Sequence, residues 1–107
     1  MYAEGSAYPL RNLWDAAVRH YSIKLTCRVC GHVRILHGVG LWWLYERRGW
    51  PDGFAEVTRR SVCIPCRSER RRVVRNPAFE LVHEEITGEP LPLPSVSEWK
   101  KALARHR

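Results

Sequence analysis

Apolar residues recur along the chain with two different spacings, and each spacing predicts its own kind of element. Over Pro9–Tyr21 they return every three or four positions, which predicts an amphipathic helix with a proline at its entrance. Over Ser22–Cys27 they alternate with polar residues, and Val33 and Ile35 alternate in the same way. Alternation predicts strands, so we expect a short hairpin whose turn spans residues 27–31.

The segment after this hairpin is predicted to be helical beyond a glycine break. Gly38 and Gly40 interrupt the strand pattern, and residues 41–48 then predict a short helix that ends at Gly49. The Trp-Pro-Asp-Gly sequence at 50–53 is typical of a turn, and residues 54–60 predict another helical turn or two.

The last third of the chain predicts strands, a linker and a final helix. Residues 73–74 favour a strand over a helix, and 79–82 predict a further strand. Residues 88–94 hold three prolines, which predicts an extended linker. Over 95–107, Ser95 and Glu98 match a capping box, and Val96, Trp99 and Leu103 form the apolar stripe of an amphipathic helix.

All four cysteines fall in two C-x-x-C pairs, Cys27/Cys30 and Cys63/Cys66, with residues 31–62 between them. This spacing lets both thiolates of a pair face one ion, with zinc–sulfur bonds of about 2.3 Å, and four thiolates complete a tetrahedral shell. We therefore predict one structural Zn²⁺ bound by these four residues. Gly31 permits the left-handed turn of a metal knuckle; the second pair lacks this glycine and forms either a distorted knuckle or the first turn of a helix.

Two other uses of the cysteines stay open, namely disulfides or redox thiols, and an iron–sulfur cluster. Residues 1–6 lack a basic segment followed by an apolar one, so a secretory signal is not expected and we predict a reducing, cytoplasmic location. His32 and His37 lie close to the first pair and could replace a cysteine as ligand, although four cysteines already suffice.

Enzymatic activity is not expected from this sequence. A closed four-cysteine site has no open position at which to activate water, and the chain contains no G-x-S-x-G, P-loop or H-E-x-x-H motif. We predict no small-molecule substrate. A thiol oxidoreductase is a further hypothesis, but it would need a reactive, accessible thiolate. The longest apolar stretch, residues 38–45, is far short of the ~20 residues of a membrane span.

Charge adds a prediction about the partner. Lys and Arg number 18 against 11 Asp and Glu, giving a net charge of +7, and a strongly basic domain is typical of nucleic-acid binders. Arginine suits bidentate phosphate contacts. The predicted contact residues for DNA or RNA flank the cysteine pairs: Arg28, Arg34, Arg59, Arg60, Arg67, Arg70, Arg71, Arg72 and Arg75. A solvated charged face and an acidic protein partner are the alternatives.

Each tryptophan could either pack in the core or contact a partner. Neighbours on a helix point about 100° apart, so Trp42 and Trp43 cannot both stack on bases, and at least one is predicted to be core. Trp99 docks on the domain or on a partner. The rival function is a protein–protein adaptor that uses the proline-rich linker together with Trp99 and Leu103 of the last helix.

The order C-x-x-C-G-H at residues 27–32, a helix, Arg-Arg at 59–60 and C-x-x-C at 63–66 resembles zinc-ribbon-like proteins, and more narrowly small proteobacterial ones. The resemblance covers about residues 22–74 and implies metal binding without settling function. The predicted fold is a single α+β domain over residues 1–107. Its zinc-ribbon-like core of short antiparallel strands spans about 22–83, with a helical insertion between the knuckles and flanking helices.

Overall fold

A computed structural model describes residues 10–106 of the chain. Five helices and three strands follow one another in this part of the chain: α1 (Leu13–Val18), β1 (Ser22–Thr26), β2 (Val33–His37), α2 (Gly38–Arg48), α3 (Phe54–Arg60), α4 (Ile64–Glu69), β3 (Ala78–Val82) and α5 (Val96–Arg105). The predicted α+β class is therefore confirmed. Among the described residues no helix has the length and apolar character needed to cross a membrane.

The three strands form one antiparallel sheet in the order β2-β1-β3. In the central strand, Ile23 pairs with Leu36 of β2 and with Leu81 of β3, and its side chain is fully buried. The predicted hairpin is confirmed, and the strand expected at 79–82 begins one residue earlier. The hairpin turn leaves the first cysteine pair at the end of the sheet.

Helix α1 is shorter than the predicted span of Pro9–Tyr21. The Asn12 side chain accepts a hydrogen bond from the Asp15 N–H and so caps the helix at Leu13. At the other end, His20 takes a left-handed conformation with φ of 60°, which turns the chain towards β1. The predicted entrance at Pro9 and the segment 1–6 lie outside the described residues.

Helix α2 begins at Gly38, so the prediction that Gly38 and Gly40 break the structure before a helix at 41 was wrong. The side chain of His37 accepts hydrogen bonds from the N–H groups of Val39 and Gly40, which caps the helix. A Cβ at Gly38 would lie 2.1 Å from the Tyr21 carbonyl oxygen. These glycines serve close packing, and Gly49 ends the helix in the left-handed region as predicted.

The strand favoured at residues 73–74 is also wrong. Arg71 and Asn76 both have left-handed φ, so the backbone bends on either side of this segment. The only pairing it makes within the described chain is an isolated bridge between Val62 and Arg75, with the Cys63 N–H donating to the Val74 carbonyl at 3.0 Å. The segment therefore supports the second cysteine pair.

An aromatic cluster joins the last helix to the main core. Trp42 is 2% exposed, and the rings of Trp14 and Trp99 lie 5.1 and 5.5 Å from it. Ala102 of α5 is fully buried, and the Leu91 side chain of the proline-rich segment packs against the same core. Trp42 is therefore a core residue, and Trp99 docks on its own chain.

Candidate metal centre and its basic surroundings

The first cysteine pair sits where β1 ends. The Gly31 N–H donates to the Cys27 carbonyl, and Gly31 has the left-handed φ of 77° that a tight turn requires. This turn directs the N–H groups of Val29 and Cys30 at the Cys27 sulfur, at 3.4 and 3.5 Å. The local geometry is that of a metal knuckle, as the glycine predicts.

The second pair forms the start of a helix, which settles the choice left open between a distorted knuckle and a helical turn. Cys63 is the residue before α4, Pro65 lies in the first helical turn, and Cys66 follows one turn from Cys63. Proline fits this position because the first helical N–H groups have no partner within the helix. The turn brings both sulfurs to one side of the helix.

The four sulfurs meet at one point between the hairpin and α4. The Cys27 and Cys66 sulfurs lie 3.8 Å apart, those of Cys30 and Cys63 lie 3.5 Å apart, and all four lie within 4.8 Å of one another. A tetrahedral ion with bonds of about 2.3 Å requires sulfurs about 3.8 Å apart. All four cysteines are free, and these separations exceed the ~2.05 Å of a disulfide bond.

The pKa values of the thiols differ because their surroundings differ. The backbone N–H of Cys30 is the main cause that lowers the pKa of Cys27 from 9.0 to about 6. Burial raises the pKa of Cys66 to about 12 and also raises the pKa of Cys63. A bound cation must therefore displace protons from at least the last two thiols.

Neither histidine considered as a ligand belongs to this cluster. His32 is exposed, and its backbone carbonyl accepts from the Cys27 N–H at 2.9 Å. His37 uses its Nδ1 to cap α2. The sulfur cluster among the described residues is made of the four cysteines alone.

The arginines predicted to bind nucleic acid fall into two groups. Arg34, Arg60 and Arg75 line one cleft next to Cys27 and Cys63. Arg60 and Arg75 are nevertheless exposed, and Arg34 is half-buried. The remaining six lie outside this cleft and are also exposed: Arg28, Arg59, Arg67, Arg70, Arg71 and Arg72. Five arginines between residues 67 and 75 are opposed by a single acidic residue, Glu69.

Several of these arginines are held by backbone contacts near the metal ligands. The N–H groups of Arg70 and Arg72 both donate to the Cys66 carbonyl, and Arg28 Nε donates to the Asn76 carbonyl at 2.9 Å. Arg59 instead pairs with Glu56 within α3. The end of the protein that holds the four-cysteine cluster therefore presents an arginine-rich surface, which we call the basic end.

The sequence did not predict that Tyr45 and Trp50 pack beside Arg60 at the edge of the basic end. The Arg60 guanidinium carbon lies 4.4 Å from the centroid of the Trp50 ring, and Tyr45 contacts the same ring edge-on at 5.2 Å. These residues belong to α2, a turn and α3, so no local pattern links them. In the sequence, Trp50 belongs to a Trp-Pro-Asp-Gly pattern that predicts a turn, but this pattern gives no indication of the contact with Arg60.

These features define a small α+β protein with four cysteines positioned to hold a metal ion. No known protein family, curated protein or solved structure matches the chain.

Proposed function

We propose that the protein is a non-catalytic module in which one structural Zn²⁺ supports a nucleic-acid-binding surface. The observation that carries this proposal is the convergence of four cysteine sulfurs within the arginine-rich basic end. Four thiolates without an open position suit zinc in a structural role. The similarity to zinc-ribbon proteins remains a prediction.

The phosphate backbone is the part of the ligand that this surface suits best. Exposed guanidinium groups form bidentate contacts with phosphate oxygens, and each neutralised phosphate releases counterions. Binding would therefore be salt-dependent and largely independent of sequence. A regulatory or accessory role fits a module of this kind.

The zinc part of the proposal is tested by native mass spectrometry. We expect the gently purified protein to carry the mass of one zinc ion, which is lost on denaturation. A metal-free native protein that takes up no zinc on titration would overturn the metal assignment.

The nucleic-acid part is tested by salt-dependent binding of the double variant Arg70→Ala/Arg71→Ala. We expect about tenfold weaker binding to unrelated sequences and a salt slope reduced by about 1–2, since two phosphate contacts are lost. The charge-matched control is Lys100→Ala/Lys101→Ala, which changes two exposed lysines of α5. Equal affinities and slopes for the two variants would contradict the proposal.

A protein–protein adaptor remains the second candidate because of one specific surface. Leu93 and Val96, on either side of the start of α5, are 55% and 72% exposed, and Leu103 is 38% exposed. Trp99 packs against Trp14 and Trp42 and is half-buried, so the exposed apolar side chains of this surface are Leu93, Val96 and Leu103. Capture of a partner that Leu93→Ser/Val96→Ser abolishes, with nucleic-acid binding absent, would favour the adaptor.

A further inference from the structure

A cleft of about 340 Å³ opens between the sheet, helix α2 and the metal ligands. Its apolar wall is formed by Leu25 and Leu36 of the sheet and by Leu41 and Leu44 of α2. This volume lies at the lower end of the ~300–1,000 Å³ of small-ligand pockets. The cleft has room for one nucleobase with its sugar and excludes a duplex.

The charged side chains that line the cleft are all basic. Arg34, Arg60 and Arg75 line it together with His32, and none of its described lining residues is Asp or Glu. The guanidinium groups therefore favour an anionic ligand, while the leucines favour an apolar or aromatic part of that ligand.

One residue that lines the cleft has a hydroxyl without a hydrogen-bond partner in the described part of the chain. Tyr45 is 4% exposed and lines the cleft, and its hydroxyl makes no hydrogen bond to any residue between 10 and 106. No side-chain N or O atom in this part of the chain is both sealed from solvent and unpartnered, so the hydroxyl of this cleft-lining residue keeps some contact with solvent. Burial raises the pKa of Tyr45, and at neutral pH the hydroxyl is therefore able to donate.

Arg60 and Trp50 add a stacking surface. The guanidinium lies over the indole at 4.4 Å, and both residues line the cleft. Guanidinium planes and aromatic rings are the groups on which proteins stack unpaired bases.

We propose that this cleft accepts one unpaired base of a single-stranded nucleic acid, which stacks on the Arg60 guanidinium held over Trp50 and accepts a hydrogen bond from Tyr45. Arg34 and Arg75 contact the flanking phosphates. This inference rests on the proposed function and deepens it, because it makes the ligand a single strand. A duplex hides its bases within the stack and gains nothing from the cleft.

The test compares three labelled oligonucleotides of equal length with the zinc-loaded protein by fluorescence anisotropy. They are a base-bearing single strand, the same backbone made of abasic sugars, and a blunt duplex. We expect the base-bearing strand to bind about tenfold tighter than the abasic one. Tyr45→Phe and Arg60→Ala each reduce that ratio several-fold, while the matched control Arg59→Ala, outside the cleft, weakens both strands equally and preserves the ratio.

The possible failures are distinguishable. If base-bearing and abasic strands bind equally, or the duplex binds as well as the single strand, base insertion is wrong and phosphate binding stands. An unchanged ratio in Tyr45→Phe and Arg60→Ala likewise overturns the assignment to this cleft. If none of the three binds at low salt, the proposed function fails as well. Circular dichroism of each variant verifies that it is folded.

Discussion

Gly38 shows how a single residue sets the contact between two elements. Its missing side chain lets α2 start against the backbone of Tyr21, where a Cβ would lie 2.1 Å from the carbonyl oxygen. Real Cβ atoms do not approach a backbone oxygen so closely, and neither backbone is free to move in a packed core. Any side chain at this position is therefore expected to force a shift of the surrounding backbone.

Gly38→Ala is expected to lower the free energy of unfolding by about 2–3 kcal/mol, since overpacking forces a backbone shift. Gly53→Ala serves as the control, because nothing lies within 4 Å of its added Cβ, and it should cost about 1 kcal/mol or less. Urea denaturation of both variants measures the difference. A Gly38→Ala variant as stable as the Gly53→Ala variant would show that α2 does not start against Tyr21.

The cysteine pKa values predict how metal binding depends on pH. Burial keeps the pKa of Cys63 and Cys66 above the ordinary 9.0, so zinc displaces protons from them at neutral pH and its apparent affinity rises with pH. Below about pH 6 a proton on Cys27 competes as well, and the slope becomes steeper. Competition with a chromophoric chelator between pH 5.5 and 8 measures the slope. A pH-independent affinity, corrected for the chelator, would contradict these pKa assignments.

At the scale of elements, α5 is part of the packed structure. The Ser95 side chain accepts from the Glu98 N–H, which confirms the capping residue predicted from sequence. Arg105 also forms an ion pair with Glu46 of α2 at 3.1 Å. Because α5 covers core aromatic residues, deleting it would disturb the fold and would not isolate a partner-binding function.

Trp99→Ala is expected to destabilise the protein by about 3 kcal/mol, because it leaves a cavity against Trp14 and Trp42. Val96→Ala, one turn earlier on the same helix and 72% exposed, should change stability by less than about 0.5 kcal/mol. Thermal unfolding with the metal site loaded gives both values. Similar effects for the two substitutions would indicate that α5 is not docked.

Across the whole molecule, buried residues form two separate clusters. The larger one joins α1, the sheet, α2, α3 and α5, whereas the smaller contains Cys27, Cys66 and Val74, with Cys30 and Cys63 against it. The smaller cluster is too limited to be stable through apolar burial alone, so we expect the proposed metal bonds to contribute most of its stability.

Removal of the metal is therefore expected to destabilise the smaller cluster more than the larger one. A strong chelator should lower the Tm by about 10 °C or more. Hydrogen exchange should rise first in residues 63–75, while α1 and α2 stay protected. The chelator already saturated with zinc is the control. Uniform exchange across the chain would show that the two clusters unfold together.

Local sequence patterns predicted most of the helices and strands. They succeeded where residues close together in the sequence determine the secondary structure. The β1–β2 hairpin, the 54–60 helix and the cap at Ser95 all follow from alternation, periodicity or capping residues within one segment. The early start of α2 and the bent segment at 73–74 were missed. The start of α2 depends on the His37 side chain, which caps the helix although histidine is not among the usual capping residues. The bent segment depends on the bridge between Val62 and Arg75, which no pattern within one segment reveals.

By itself, the sequence determined the four candidate ligands and the excess of arginine, because C-x-x-C spacing and charge are local properties. Only the tertiary structure decided that the four sulfurs meet, that Trp99 packs inward, and that Arg34, Arg60 and Arg75 share a cleft with Tyr45. These residues come from separate elements, and packing of the sheet against the helices brings them together.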